Sequence, residues 1–253
     1  MAITRTDWKL TEGGVEIASG GKRTVRESLL SRLVHMIVAG ELAEGTTLPN
    51  EAELTDQFGV SRTSLREAMQ YLAAIGMVRS RTRAGTIVLH RENWNYLDPL
   101  VLDVMLTIGG DEAFYTSLID ARQLLEPAAA EHAATKASAK QLARIAQAFE
   151  DMVDANARDN EEWSRADLEF HTAIINASGN WVYRQFASAI RAALLASFRL
   201  TNRASQSHEQ AIQKHQDVLE AIRMRKPHDA RRAMEVLIGV ARAEITDALK
   251  AKI

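Results

Sequence analysis

The chain contains no cysteine, which excludes a disulfide framework, a thiolate metal site and a cysteine nucleophile. It also lacks a signal-peptide core and any apolar run long enough to span a bilayer, so it reads as a soluble, cytoplasmic protein with no membrane partner. Strong net charge is absent too: 31 lysines and arginines stand against 33 acids, for a formal charge of -2. Such a chain does not coat polyanions indiscriminately, and any nucleic-acid contact must come from a local cluster of cations. Repeats and low-complexity tracts are missing. The length of 253 residues fits two domains, each able to bury its own core.

A local cluster does exist. Between Gln57 and Arg91 stand Arg62, Arg66, Arg79, Arg81, Arg83 and Arg91, against the single acid Glu67. Ahead of it, residues 1–20 mix glycine, serine, threonine and charge without a sustained period and are expected to form a mobile arm. From Thr24 to Ala39, Val25, Leu29, Leu33, Met36 and Ile37 recur at helical spacing, and Gly40 is placed to end that helix in left-handed geometry. Asn50 precedes Glu53 as in a capping box and opens a short helix over Glu51–Phe58 that Gly59 ends. Ser61 caps the next helix, whose apolar stripe is Leu65, Ala68, Met69 and Leu72 and which Gly76 stops. Short helix, tight turn and longer helix make a helix-turn-helix. Met77–Arg81 and Thr86–His90 then predict two strands around Thr82-Arg83-Ala84-Gly85, an arginine-tipped wing.

From Trp94 onward alanine dominates and the period stays near that of a helix. Helices are expected near Pro99–Thr107, Asp111–Thr135, Ser138–Asn156, Glu161–Ala177, Trp181–Asn202, Ser205–Met224 and Pro227–Lys250, with Pro127 kinking or splitting the second of these. The fold class is therefore mostly α: a winged helix-turn-helix over 21–92, a linker over 93–102, and an all-α antiparallel bundle over 103–253. Trp94, Tyr96 and Leu97 are apolar anchors by which the linker docks one domain on the other.

The first residues of the second helix in a helix-turn-helix reach base edges in the major groove, and arginine is shaped to grip guanine O6 and N7 with two hydrogen bonds. Arg62 and Arg66 share one face, opposite the apolar stripe, while Ser61, Thr63 and Ser64 are suited to phosphates. Taken alone, the helix fits equally an exposed helix whose arginines only solvate it. Arg81 and Arg83 beside Gly85 add cation where a neighbouring groove would lie and favour the DNA reading.

In the second domain several polar residues fall on inward faces. Asp167 and His171 share a face with Ile174 and Ile175; His215 lies among Ala211, Ile212, Val218, Leu219 and Ile222; Arg122 lies among Leu118, Ile119, Leu125 and Ala129. One explanation is a divalent metal (Zn, Ni or Mn) on Asp167, His171 and His215, with Arg122 gripping the carboxylate of an acidic metabolite at two points. The other pairs Asp167 with Arg122, bonds His171 to Asp167 along the helix and leaves His215 a satisfied core histidine. Asn180 is an effector contact or the N-cap of the following helix.

Two stretches carry a resemblance. Leu48-Pro49-Asn50-Glu51-Ala52-Glu53-Leu54, Gly59-Val60-Ser61-Arg62-Thr63-Ser64-Leu65-Arg66-Glu67-Ala68 and Gly76-Met77-Val78 resemble the amino-terminal signature of GntR-family bacterial regulators. Arg122-Gln123-Leu124-Leu125-Glu126-Pro127, Asp167-Leu168-Glu169-Phe170-His171, Ser178-Gly179-Asn180 and Lys214-His215 resemble the FCD ligand-binding domain of its FadR subfamily. The resemblance implies that Arg62, Thr63, Arg66 and the wing around Gly85 contact DNA, and that Asp167, His171 and His215 are metal ligands. It departs at two places: Ala52 stands where many members have a DNA-reading arginine, and Leu237 where a fourth ligand, a histidine, is usual. The junction from Asn93 to Pro99 resembles that of regulators of sugar-acid catabolism, galactonate-responsive ones among them.

The sequence is thus expected to be a homodimeric regulator, most simply a repressor, that binds a pseudo-palindromic operator and responds to a small carboxylate such as a sugar acid. Competing readings are a dimeric DNA-binding protein without a ligand, and a metal hydrolase built on the Asp/His/His cluster. The hydrolase is disfavoured because no further general base is evident and an attached DNA reader is unexplained by it.

Overall fold

The computed structural model describes residues 25–81, 85–155, 160–201 and 209–250; the expected arm, Arg83 and the start of the helix expected from Ser205 lie outside them. Eleven α-helices and one two-stranded sheet are seen among the described residues.

The amino-terminal unit starts with α1 (Val25–Val38), which buries Leu29, Leu33, Val34 and Ile37. Helix α2 (Glu51–Phe58) begins with a full capping box, Glu53 N–H donating to Asn50 Oδ1 at 3.0 Å and Asn50 N–H to Glu53 Oε2 at 3.1 Å, and ends at Gly59 in left-handed geometry. Helix α3 (Arg62–Ala74) is capped by Ser61 Oγ, which accepts from Ser64 N–H, and buries Leu65, Ala68 and Leu72. Strands β1 (Val78–Arg81) and β2 (Gly85–Val88) pair antiparallel, with Val78 opposite Val88 and Arg81 opposite Gly85. The wing is wider than two strands. Leu48 N–H donates to Thr86 O and Val88 N–H to Thr46 O, so the segment before α2 lies along the outer edge of β2.

Gly76 explains why α3 must stop where it does. It has φ +74°, and a Cβ there would lie 2.1 Å from the carbonyl oxygen of Asn93, so no side chain fits between α3 and the chain leaving the wing. That departing chain is anchored by Trp94, buried at 7 % exposure with Nε1–H donating to Leu89 O. Leu97 is not an apolar anchor as expected: its side chain is exposed, and its carbonyl accepts from Ser188 Oγ at 3.0 Å.

Helix α4 (Pro99–Ile108) begins inside the expected linker. Asp98 caps it by accepting from Leu100 and Val101 N–H, and proline occupies its first turn, where the missing N–H costs nothing. Val101 and Val104 pack into the amino-terminal core, whereas Leu102 and Leu106 pack into the second one. One helix thus joins both cores. Tyr71 of α3 donates its hydroxyl to Asp98 Oδ2 at 2.7 Å, tying α3 to the cap of α4.

The second unit is built around α5 (Glu112–Lys136), packed on α11 (Pro227–Lys250), with α6 (Ala139–Ala155), α7 (Asn160–Ala177), α9 (Ala187–Thr201) and α10 (Glu209–Arg223) surrounding them. Arg231 pairs with Glu131 and Arg242 with Asp120, an order that makes α5 and α11 antiparallel. Ala129, Ala130, Ala133 and Ala134 are fully buried along α5; their small side chains let neighbouring helices approach closely. Pro127 does not split this helix. Its ring is buried, and the packing of both flanking halves outweighs the roughly 3 kcal/mol that an interior proline costs.

The helix expected over 181–202 is two: α8 (Trp181–Gln185), capped by Asn180, then a break at Phe186 before α9. No glycine or proline marks that break. Tertiary packing sets it, since α9 must reach α4, α5, α7 and α11. Arg225, at φ +56°, closes α10 and sends its guanidinium to Ala134 O and Ala137 O, the unpaired carbonyls at the end of α5.

Candidate DNA interface and effector centre

The amino end of α3 presents Arg62, Thr63 and Arg66 to solvent on the side away from Leu65, Ala68 and Leu72. Ser61 is exposed as well, though its hydroxyl already caps the helix and lies 2.9 Å from that of Ser64. Arg66 is not free: its Nε–H donates to Glu51 Oε1 at 2.8 Å and Nη2 approaches Oε2 at 3.5 Å. Sequence reasoning passed over Glu51, which had appeared only as a helix-start acid. In the wing Arg81 is exposed at the end of β1, and Gly85 takes φ +82°, where an added Cβ would crowd Thr47 Cγ2 at 2.9 Å.

The inward polar residues of the second unit meet in one closed centre. Arg122, Glu126, Asp167, His171 and His215 are each 5 % exposed or less. Helix α5 supplies Arg122 and Glu126, α7 supplies Asp167 and His171 one turn apart, and α10 supplies His215. The expected pairing of Arg122 with Asp167 is replaced by Arg122 Nε–H donating to Glu126 Oε1 at 2.6 Å. The other oxygen of Glu126 contacts His171 Nδ1. Glu126 is the functional residue that the sequence reading missed; the one local signal was its placement four residues after Arg122.

Each imidazole is held by the nitrogen facing away from Asp167. His171 is held at Nδ1 by Glu126, and His215 at Nδ1 by the Ala211 carbonyl, 2.7 Å away. Both Nε2 atoms then face Asp167 Oδ1, at 3.6 Å for His171 and 2.7 Å for His215. A carbonyl can only accept, so it keeps a proton on His215 Nδ1, and Nε2 meets a carboxylate oxygen that can only accept as well. Two acceptors at that separation repel unless a proton or a cation sits between them. Asp167, His171 and His215 bring their ligand atoms within 4.8 Å of one another, and the carboxylate and carbonyl behind the imidazoles are the outer partners that metal-bound histidines use. The residues present fit a divalent ion. Leu237 is buried and offers no donor, so an ion held there would have three protein ligands and open positions.

The charged groups of the centre also balance one another. Burial pushes the Glu126 carboxyl up, but Arg122 and then His171 outweigh it and hold the group at about 2. Burial likewise opposes charge on Asp167, yet His171 and His215 hold it well below the usual carboxylate range. His171 is pulled down by burial and raised to about 9 by Glu126 and Asp167. Both carboxylates are therefore ionised, and the His171 imidazolium is the cation between them, whose place a divalent ion would take.

Asn180 uses its Oδ1 to accept from Val182 N–H at 3.0 Å and is the N-cap of α8. A cavity of about 300 Å³ opens elsewhere, between α10 and α11, where Lys214, Asp217, Asp229 and Arg232 line it; none of the five centre residues does.

A winged helix-turn-helix joined through a shared helix to an all-α unit with a buried Asp/His/His centre defines a ligand-controlled DNA-binding protein. Residues 22–88 match the family described as bacterial regulatory proteins, gntR family, and residues 117–239 match the FCD domain. The chain is 32 % identical over 214 residues to the galactonate operon transcriptional repressor of Escherichia coli K12, spanning 84 % of this chain and 93 % of that one. It is 30 % identical over 231 residues to the transcriptional repressor NanR of Cronobacter sakazakii, spanning 85 % of each, and 31 % identical over 210 residues to the Uxu operon regulator of Haemophilus influenzae, spanning 78 % of this chain and 73 % of that one. Among solved structures, that of Lar, which controls the agr system of Listeria monocytogenes, covers 90 % of this chain with 99 % of its own at a TM-score of 0.62 and 19 % identity, a likeness of fold. The chain belongs to the GntR family of transcriptional regulators, with an FCD ligand-binding domain. It binds DNA through the winged helix and a small-molecule effector through the FCD domain, and no helix among the described residues is long and apolar enough to cross a membrane.

Proposed function

We propose that the protein is a homodimeric repressor whose operator binding is controlled by an organic acid, most simply a sugar acid, coordinated to a divalent ion on Asp167, His171 and His215. Zn, Ni and Mn all suit two imidazoles, one carboxylate and open positions. The observation that carries the reading is the convergence of Asp167, His171 and His215, whose ligand atoms lie within 4.8 Å of one another, with His215 Nε2 2.7 Å from Asp167 Oδ1.

The effector's charge follows from the residues around the ion. A bound divalent ion would displace the His171 proton; with both imidazoles then neutral, Arg122 stands against Glu126 and Asp167, and the ion leaves one positive charge in a buried volume. A single effector carboxylate neutralises it, and neighbouring hydroxyls of an aldonate suit the remaining coordination positions. Arg122 meets the carboxylate by turning a face of its guanidinium from Glu126. Asn180 contributes only through its amide nitrogen, because its oxygen caps α8. The names of two relatives, the galactonate operon repressor and the Uxu operon regulator, support the choice of acids to try first.

At the DNA, Arg62 and Arg66 read guanines in the major groove, Ser61 and Thr63 hold phosphates, and Arg81, Arg83 and Gly85 set the wing against a neighbouring groove. Two copies place two such heads on a pseudo-palindromic site. The shared helix α4 and the bond from Tyr71 to Asp98 give effector binding a route to the pose of α3.

Isothermal titration tests the effector half. Chelator-treated protein should take up one Ni, Zn or Mn ion per chain and then bind an aldonate, and Asp167→Asn should abolish both events. Absence of ion uptake by the wild type removes the metal, and absence of aldonate binding by the metal-loaded wild type removes the sugar acid.

A further inference from the structure

We infer that Glu51 is a specificity-determining residue that aims Arg66 at its base, an inference that rests on the reading of Arg66 as a base contact. A guanidinium carries five N–H groups in a rigid plane. Glu51 Oε1 takes the Nε–H at 2.8 Å and Oε2 lies 3.5 Å from Nη2, so the carboxylate lies along one side edge of the plane. The end edge, with N–H groups from both Nη1 and Nη2, stays open. That paired edge matches O6 and N7 of guanine.

Without Glu51 the same side chain would be a long, mobile cation at the DNA surface, free to settle on any phosphate. Phosphate contacts carry affinity without sequence information. Glu51 cancels most of the net charge that Arg66 brings and leaves its directional hydrogen bonds, which moves its contribution from general attraction to base discrimination.

The ordinary roles of Glu51 are filled by other residues or too small to account for the contact. Asn50 and Glu53 already cap α2 reciprocally, so Glu51 is not needed for the cap. The Arg66 and Glu51 side chains are 70 % and 41 % exposed, a setting in which an ion pair adds little to folding. The pair joins the two helices of the helix-turn-helix across fifteen residues of sequence, and Ala52 next to Glu51 brings no competing cation.

The test is selection of bound duplexes from a randomised library by the full-length protein, followed by affinity measurements on the selected duplex and on a scrambled one. Wild type, Arg66→Ala, Glu51→Ala and Glu51→Gln are compared. Arg66→Ala should erase one guanine from each selected half-site. Glu51→Ala should weaken preference for that same guanine by about ten-fold or more, while affinity for the scrambled duplex rises because a carboxylate has left the interface. Glu51→Gln, which keeps one oxygen for the Nε–H, should retain more preference than Glu51→Ala. A Glu51→Ala protein with the wild-type guanine preference, or with both affinities reduced in parallel, overturns the role of Glu51 when Arg66→Ala does lose that guanine. An Arg66→Ala protein that selects the wild-type sequence overturns the reading of Arg66, and the inference with it.

Discussion

Replacing Glu126 by alanine should be among the most destabilising single changes in the second unit. The carboxylate is 1 % exposed and lies between Arg122 Nε, 2.6 Å away, and His171 Nδ1, and both partners are 2 % exposed. Its removal leaves a buried guanidinium with no counter-charge on its own helix and an imidazole whose proton has lost its acceptor. Breaking a buried pair from one side costs about 3–5 kcal/mol, against a total stability of about 5–15 kcal/mol for a typical native protein. A fifth or more of the stability is therefore at stake. Urea unfolding reads it through the fluorescence of Trp163, which is 3 % exposed with its ring centroid 6.3 Å from that of His215. The midpoint should fall steeply for Glu126→Ala, and for Arg122→Met, which strands the carboxylate instead. The double variant Arg122→Met/Glu126→Leu should recover most of the loss, because it removes both charges and fills the space. A Glu126→Ala midpoint within about 1 kcal/mol of wild type, or a double variant with the full sum of the single losses, would refute the view that a buried ion pair organises this centre.

Other predictions follow from single contacts. Tyr71 has its hydroxyl pushed up to about 12 by burial and by the Asp98 carboxylate, so its contribution is intact below its ordinary value of 10.0 and is lost as pH rises through about 12; alkaline unfolding should be steeper for wild type than for Tyr71→Phe. At neutral pH the same variant should lower stability by about 1–2 kcal/mol and weaken the coupling between effector and DNA more than either affinity alone. Gly76→Ala combines φ +74° with a Cβ placed 2.1 Å from Asn93 O, and should cost more than about 1–2 kcal/mol, with thermal unfolding of the winged helix as the measurement.

The sequence was most legible where structure is decided locally. Asn50, Glu53 and Gly59 bound α2 at both ends, and each acts within four residues of its own position, so the residue order alone announced them. The faces of α3, α7 and α10 were legible for the same reason: helical period sorted Arg62 and Arg66 outward, and Asp167, His171 and His215 inward. Contacts across the fold were not. Glu126 and His171 lie on different helices, Glu51 meets Arg66 only after a turn is folded, and the strand-like edge at Thr46 and Leu48 depends on hydrogen bonds to β2. The break at Phe186 and the intact helix through Pro127 mark the same limit from opposite sides. A breaker was tolerated and a break occurred without one, because packing against neighbouring helices outweighs local propensity.

The proposed control of DNA binding rests on an acid held at Asp167, His171 and His215, whose arrival decides whether the winged helix holds DNA. It is tested most directly by fluorescence anisotropy on a labelled duplex selected by the protein from a randomised library, titrated with a panel of sugar acids in the presence of divalent metal, for wild type and Asp167→Asn. At least one acid should weaken wild-type binding ten-fold or more, and chelator or Asp167→Asn should remove that response while DNA affinity without acid persists. A wild-type binding curve that no acid moves, or a response that Asp167→Asn retains in full, would contradict it.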